Sequence, residues 1–189
     1  MLGAVVFKRE KAFGFDKKMK KNVGDTNNNP LCSIVIVIKK QMLFRQKELS
    51  PQLKERLKEY VYDVIGHLFK VYKELPCGFP EYIYQDALGI EFTENSVPFK
   101  KEYIFHPLFR GKPLMSYFKM DFMLERSRGN IIIECKAIDE IGEKERHQLF
   151  SYMSGSQFPI GILVNFSTYP KAEIEKYYYD KLDGTIFPF

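Results

Sequence analysis

Two adjacent runs of β-forming residues, at 117–125 and 131–137, restrict this chain more than any other stretch. Both are rich in aromatic and β-branched residues, and the five residues between them, Arg-Ser-Arg-Gly-Asn at 126–130, have the composition of a turn. A hairpin closed around Ser127 and Arg128 sets Glu125 opposite Asn130, Met123 opposite Ile132 and Asp121 opposite Glu134. Side chains alternate between the two faces of a strand. Strict alternation puts Phe118, Met120, Phe122 and Leu124 beside Ile131, Ile133, Cys135 and Ala137 on one apolar face, which needs helices to cover it. The other face carries Lys119, Asp121, Glu134 and Lys136 among Tyr117, Met123 and Ile132.

Asp121 and Glu134 then face each other across adjacent strands. Like charges so placed are destabilising, and one is driven towards its protonated form unless a cation intervenes. A divalent metal removes the conflict, and Mg²⁺ is typically held by one or two carboxylates with waters and phosphate oxygens. Lys136 projects from the same face two residues beyond Glu134. It could orient or help deprotonate a water, or neutralise charge on a phosphate. The alternative is a solvated, salt-bridged strand face with no chemistry. Against it, the carboxylates stand at mid-strand among strong β-formers, where an exposed edge more often shows Thr, Ser or Gln.

The flanking chain supplies the helices. Ser50-Pro51 is an N-cap followed by proline at the first helical position. Leu53, Leu57, Tyr60, Val61, Val64, Leu68 and Tyr72 recur at helical spacing to about residue 75. Pro76-Cys77-Gly78 ends that helix, and a second spans about 80–92, with Glu81 and Gln85 one turn apart. Glu81 is also an ordinary first-turn acid favoured by the helix dipole. A strand is expected at 99–106, a turn at 107–113, a third helix at about 143–153 and a strand at 160–166, apolar enough to be buried on both faces. The third helix places Gln148 and Tyr152 on one face. Residues 172–189 suggest a weak further helix or strand. His67 receives no role. The order helix, helix, three strands, helix, strand predicts an α/β sandwich with a mixed sheet.

Charge separates the chain into two regions. Residues 1–45 hold 10 Lys/Arg against 3 Asp/Glu, and residues 46–189 hold 19 against 21. The expected organisation is a poorly structured basic extension at 1–45, or an upstream misreading with the native start at Met42, followed by one domain at 46–189. The β-prone run 34–38 could add a strand. The body lacks the global basic footprint common in nucleic-acid binders, which leaves room for a local patch only. Three cysteines, without CxxC spacing, argue against a disulfide framework or a zinc site and for a reducing compartment. No apolar run is long enough for a signal peptide or a membrane span, so a cytoplasmic protein is expected.

Asp121, then Glu134-Cys135-Lys136, then a helix, within this element order, resembles the PD-(D/E)XK nuclease superfamily. More specific is residues 78–84, Gly-Phe-Pro-Glu-Tyr-Ile-Tyr, which looks like the Gly-x-x-Glu-x-x-Tyr motif naming the small prokaryotic GxxExxY family within that superfamily. The runs 147–152 and 161–166 resemble that family's ending, so the likeness covers roughly 50–182. It implies a restriction-endonuclease-like core, αβββαβ, with a mixed sheet flanked by helices. It implies Mg²⁺, with Mn²⁺ as a substitute, bound by Glu81, Asp121, Glu134 and the carbonyl of Cys135. Lys136 would stabilise the transition state or position the attacking water. Gln148 and Tyr152 match a Gln-x(3)-Tyr element that would orient Lys136 or contact a phosphate. The implied activity is a metal-dependent nuclease acting on nucleic acid, DNA first. A homodimer is an open expectation, since cutting both strands often needs two sites. The alternative is a catalytically silent nucleic-acid-binding or protein-interaction module on the same fold.

Overall fold

The computed structural model describes residues 5–6 and 48–189. Apart from residues 5–6, the basic extension and the β-prone run 34–38 lie outside the described residues.

The elements run β1 (Val5–Val6), α1 (Pro51–Glu74), α2 (Glu81–Glu94), β2 (Phe99–Phe105), β3 (Leu108–Phe109), β4 (Lys112–Pro113), β5 (Phe118–Leu124), β6 (Ile131–Lys136), α3 (Glu143–Ser156), β7 (Ile160–Asn165), β8 (Glu173–Asp180) and β9 (Thr185–Pro188). Seven strands form one sheet in the order β1-β9-β8-β7-β6-β5-β2, and β3 and β4 make a separate small hairpin. Within the sheet β6 and β7 pair in parallel, with α3 as the crossover between them. The other pairs are antiparallel. This is the α/β sandwich with a mixed sheet expected from the element order, and it is consistent with the restriction-endonuclease-like core that the resemblance implies. The weak pattern at the end of the chain resolves into two strands, β8 and β9, which extend the sheet beyond the four-stranded core.

Local chemistry sets the helix starts. Ser50 Oγ accepts the amide of Leu53 at 3.2 Å, and Pro51 opens α1. Burial then holds the helices in place. Leu57, Val61, Val64 and Leu68 of α1, with Tyr84, Leu88 and Phe92 of α2, cover Phe122, Leu124, Ile131, Ile133 and Cys135 on one face of the sheet. On the other face, Leu149, Phe150 and Met153 of α3 cover Met120, Ile132 and Leu163. Each fully buried Leu or Phe is worth about 1.5–3 kcal/mol before entropy, so the stripe on α1 outweighs its cap, worth about 1 kcal/mol.

The hairpin turn is fastened to α1. Tyr60 donates from Oη to the carbonyl of Gly129 at 2.8 Å, and Arg126 pairs with Asp63 at 2.7 Å. Gly129 has φ +121°, and a Cβ there would lie 2.5 Å from Pro159 Cγ, so only glycine fits.

One expectation about the hairpin is corrected. Met123 does face Ile132, and Leu124 faces Ile131. Strict alternation does not continue to the start of β5. Phe122 and Leu124 face α1 and α2, whereas Met120 and Phe118 lie on the α3 side. The neighbouring strand changes face at the same level, with Phe99 on the first side and Tyr103 and Phe105 on the second. Between the two halves the β2–β5 ladder passes from Lys101↔Phe122 to Tyr103↔Met120. The skipped residue on β2, Glu102, has a left-handed φ of 53°, and the skipped residue on β5 is Asp121.

Candidate active site

The pairing of β5 with β6 ends at Phe122↔Ile133, one step short of Asp121 and Glu134. Side chains take over where the ladder stops. Asp121 Oδ2 accepts the amide of Cys135 at 2.8 Å, and Glu134 Oε1 accepts the amide of Asp121 at 3.2 Å. The two carboxylates therefore satisfy backbone donors that a continuing ladder would have paired, and the strands splay around them. Lys136 Nζ lies 3.3 Å from Glu134 Oε2. The Glu134 side chain is 1% exposed and that of Lys136 13%.

Glu81 arrives from a different element. Gly78, with φ +121°, turns the chain into α2. Tyr84, fully buried, stacks on Phe166 at 4.7 Å, donates to the carbonyl of Pro76 at 2.9 Å and accepts the amide of Phe79 at 3.2 Å. These contacts seat the first turn of α2 by the end of β6, with Glu81 beside the backbone of Ala137. The three fixed positions of the Gly-x-x-Glu-x-x-Tyr motif thus serve as a turn, an acid and an anchor respectively. Gln85 donates to Glu81 Oε1 at 3.3 Å and lies close to Asp121. Its spacing from Glu81 was the only signal of this in the sequence.

The electrostatics follow from placing three carboxylates against one ammonium with little water. Burial, and then the Asp121 charge, push the Glu134 carboxyl up to about 8. Burial raises Asp121 too, against the amide of Cys135. Glu81 is raised by burial, with Lys136 opposing and Asp121 adding. For Lys136, burial works to lower the value, but Glu134, Asp121 and Glu81 outweigh it and hold the ammonium above its ordinary range. Glu102, in its left-handed conformation, adds a further charge near Asp121, and no local pattern in the sequence announces it.

The donor set fits a hard divalent cation. The acidic groups gathered offer oxygens, and burial raises the proton affinity of each. The cage is not closed: among the described residues, no three His, Cys, Asp or Glu side chains stand close enough together to hold an ion as they are. Cys135 contributes in one respect. Its side chain is buried in the core under α1 and α2, as expected. The carbonyl of Lys136 accepts from Phe166 of the β7 side, and a residue's amide and carbonyl share one edge of a strand, alternating along it. The Cys135 carbonyl therefore opens towards the splay, on the same side as its amide bonded to Asp121.

Gln148 and Tyr152 do come together, but not around Lys136. Gln148 Nε2 donates to Tyr152 Oη at 2.9 Å, and Tyr152 Oη donates to the carbonyl of Lys119 at 3.2 Å. The pair braces β5 beside Asp121, and the hydrogen bond of Lys136 goes to Glu134. Burial and the Glu134 charge raise the Tyr152 phenol, so it stays a neutral donor. His67, left without a role, bonds Glu91 through Nδ1 at 2.6 Å within the α1–α2 interface.

Among the described residues, no helix is long and apolar enough to cross a membrane. No curated protein matches the chain. A solved structure described as the crystal structure of SSO0001 is similar at 17% identity and a TM-score of 0.40, covering 78% of this chain and 77% of that one. A family model described as the PD-(D/E)XK nuclease superfamily matches residues 58–177, a span that contains α2, β5, β6 and every residue of the site. The chain belongs to the PD-(D/E)XK nuclease superfamily.

Proposed function

We propose that this protein is a Mg²⁺-dependent nuclease that hydrolyses phosphodiester bonds of DNA, of the GxxExxY group within its superfamily. The observation that carries the reading is the splay of β5 and β6, which sets Asp121 and the buried Glu134 beside Lys136 with Glu81 reaching in from α2. Asp121, Glu134, Glu81 and the Cys135 carbonyl would hold the cation. When bound, it supplies Lewis-acid activation of the phosphate and of water. Lys136 is kept as an ammonium by its carboxylate neighbours. It therefore serves as a donor to a phosphate oxygen or to the attacking water, rather than as the base. Gln85 holds Glu81 by a hydrogen bond and lies close to Asp121. Tyr152 and Gln148 hold the Lys119 carbonyl, and so the β5 backbone that carries Asp121.

A second reading, a module that keeps the fold without catalysis, is favoured by one observation: among the described residues, the acidic side chains are not already gathered into a cage. One experiment separates the two. Mg²⁺ is titrated calorimetrically into the protein and into Glu134→Ala, and both are then incubated with labelled DNA and RNA. Metal binding lost in the variant, together with metal-dependent cleavage of DNA by the parent alone, is the expected result. Cleavage of RNA alone would move the substrate class. Absence of metal binding would favour the silent module.

A further inference from the structure

The segment between β2 and β5 takes no part in the chemistry above, and its surface differs from the rest of the protein. β3 and β4 pair with Phe109 opposite Lys112. The two turn residues, Arg110 and Gly111, have φ of 53° and 77°, the pattern of a tight type I′ turn. Arginine is a costly residue in that conformation, because its Cβ crowds the backbone. The base of the arm is secured. The amide of Leu114 donates to the carbonyl of Pro107 at 2.9 Å, and His106 Nδ1 lies 2.9 Å from the carbonyl oxygen of Leu114.

Beyond that base, large apolar side chains stand in water. Leu108 is 60% exposed, Phe109 61% and Met115 95%. None of them packs against either core. A cluster of this kind marks a binding surface. Its charge indicates the partner. Residues 103–120 contain Arg110, Lys112 and Lys119 and no Asp or Glu, within a domain that is otherwise slightly acidic. The Arg110 guanidinium lies 5.2 Å from the centre of the Phe109 ring, so the tip presents an aromatic face and a cation together. Position agrees with charge. The arm closes at Leu114 and β5 begins at Phe118, three residues before Asp121. β2 ends, β5 begins and β6 ends at the same end of the sheet, so the base of the arm lies at the end where the splay opens.

Resting on the nuclease reading, we infer that this arm clamps the substrate strand, with Phe109 stacked on an unpaired base beside the scissile phosphate and Arg110 and Lys112 on neighbouring phosphates. Cations alone suffice for a duplex backbone. Exposed aromatic and apolar groups gain most where base faces are already open, in single strands, forks or ends, because wedging into a duplex first costs unstacking. The preferred substrate is therefore a nucleic acid with unpaired nucleotides at the cleavage point.

The test measures binding apart from cleavage. The full chain carrying Asp121→Asn is kept in EDTA, and fluorescence anisotropy reads its binding to a single strand, a fork and a blunt duplex of one sequence. Adding Phe109→Ala is expected to weaken single-strand and fork binding about tenfold or more, the size of one lost stack. Duplex binding should change by less than about twofold, since Phe109 has no base face to lose there. Arg110→Gly relieves the turn, so it should melt no lower than its parent while the salt slope of single-strand binding falls by about 0.7. Equal affinity of Phe109→Ala and its parent for all three ligands, or equal weakening for all three, overturns the inference. So does a shift in sedimentation from dimer to monomer with binding unchanged, which would assign the arm to a second copy. Selective loss of single-strand binding, with no cleavage by the unsubstituted protein in Mg²⁺ or Mn²⁺, would uphold the arm and end the nuclease reading. Cleavage without that selective loss would do the reverse.

Discussion

Single residues carry the charge balance of this site, and their titration makes it measurable. In the metal-free fold Glu134 holds its proton up to about 8, against 4.5 for the ordinary side chain. Between those values the folded state binds the proton that the unfolded chain releases. The stability this contributes is therefore fully present below about pH 4.5 and is lost as pH rises through 8. In EDTA, the melting temperature is expected to fall from pH 5 to 8.5, and Glu134→Gln should flatten the slope. A rise across that range, or the same slope in the variant, would show that Glu134 is not the titrating group. Asp121 offers a second measurement. Asp121→Asn keeps an oxygen for the Cys135 amide and removes the repulsion with Glu134, so metal-free stability should hold or increase. Asp121→Ala leaves that amide buried and unpaired, at a cost of about 1–3 kcal/mol in urea denaturation. Cleavage should be lost in both.

At the scale of elements, the site depends on how closely α3 lies on the sheet. Two glycines permit the approach. A Cβ at Gly161 on β7 would lie 2.4 Å from Met153 Sδ and 3.0 Å from Leu149 Cδ1, and one at Gly155 on α3 would lie 2.6 Å from Phe118 Cε2. Gly161→Ala should push α3 outwards at a cost of about 1–3 kcal/mol, and with it the Gln148–Tyr152 brace on the Lys119 carbonyl. Pairing it with Met153→Ala, which clears the nearest clash, should recover part of the loss in a double-mutant cycle. Simple additivity of the two costs would mean that the contact does not matter. Helices α1, α2 and α3 and strands β2, β5, β6 and β7 were legible in the sequence, because periodicity and caps are local. The small β3–β4 hairpin, expected only as a turn, was not, because its turn places arginine where glycine or asparagine is usual. The face change at Asp121 was hidden for a related reason. Alternation is a rule for a strand that stays in its ladder, and here two carboxylates leave the ladder to bond backbone amides.

For the whole molecule, the basic charge and the chemistry occupy different parts of the chain. Every residue of the candidate site lies on α2, β5, β6 or α3 or in the turns beside them, and β1 adds only Val5 and Val6 to the far edge of the sheet. A chain beginning at Met42 is therefore expected to fold, to bind Mg²⁺ as tightly as the full chain and to keep its cleavage rate. Loss of metal binding on truncation, with the fold intact by circular dichroism, would place a missing ligand upstream. The sequence alone determined the order of the core elements α1, α2, β2, β5, β6, α3 and β7, the superfamily motif and the types of residue in the site, since each rests on neighbours a few positions apart. Only the tertiary structure decided that Glu81 on α2 lies at the end of β6 that carries Glu134 and Lys136, and that Tyr152 hydrogen-bonds the Lys119 carbonyl and not Lys136. It also placed the base of an exposed arm at the end of the sheet where the splay opens. Those outcomes depend on where a β-ladder stops and which helix covers which face, and burial and hydrogen bonding between distant segments settle both together.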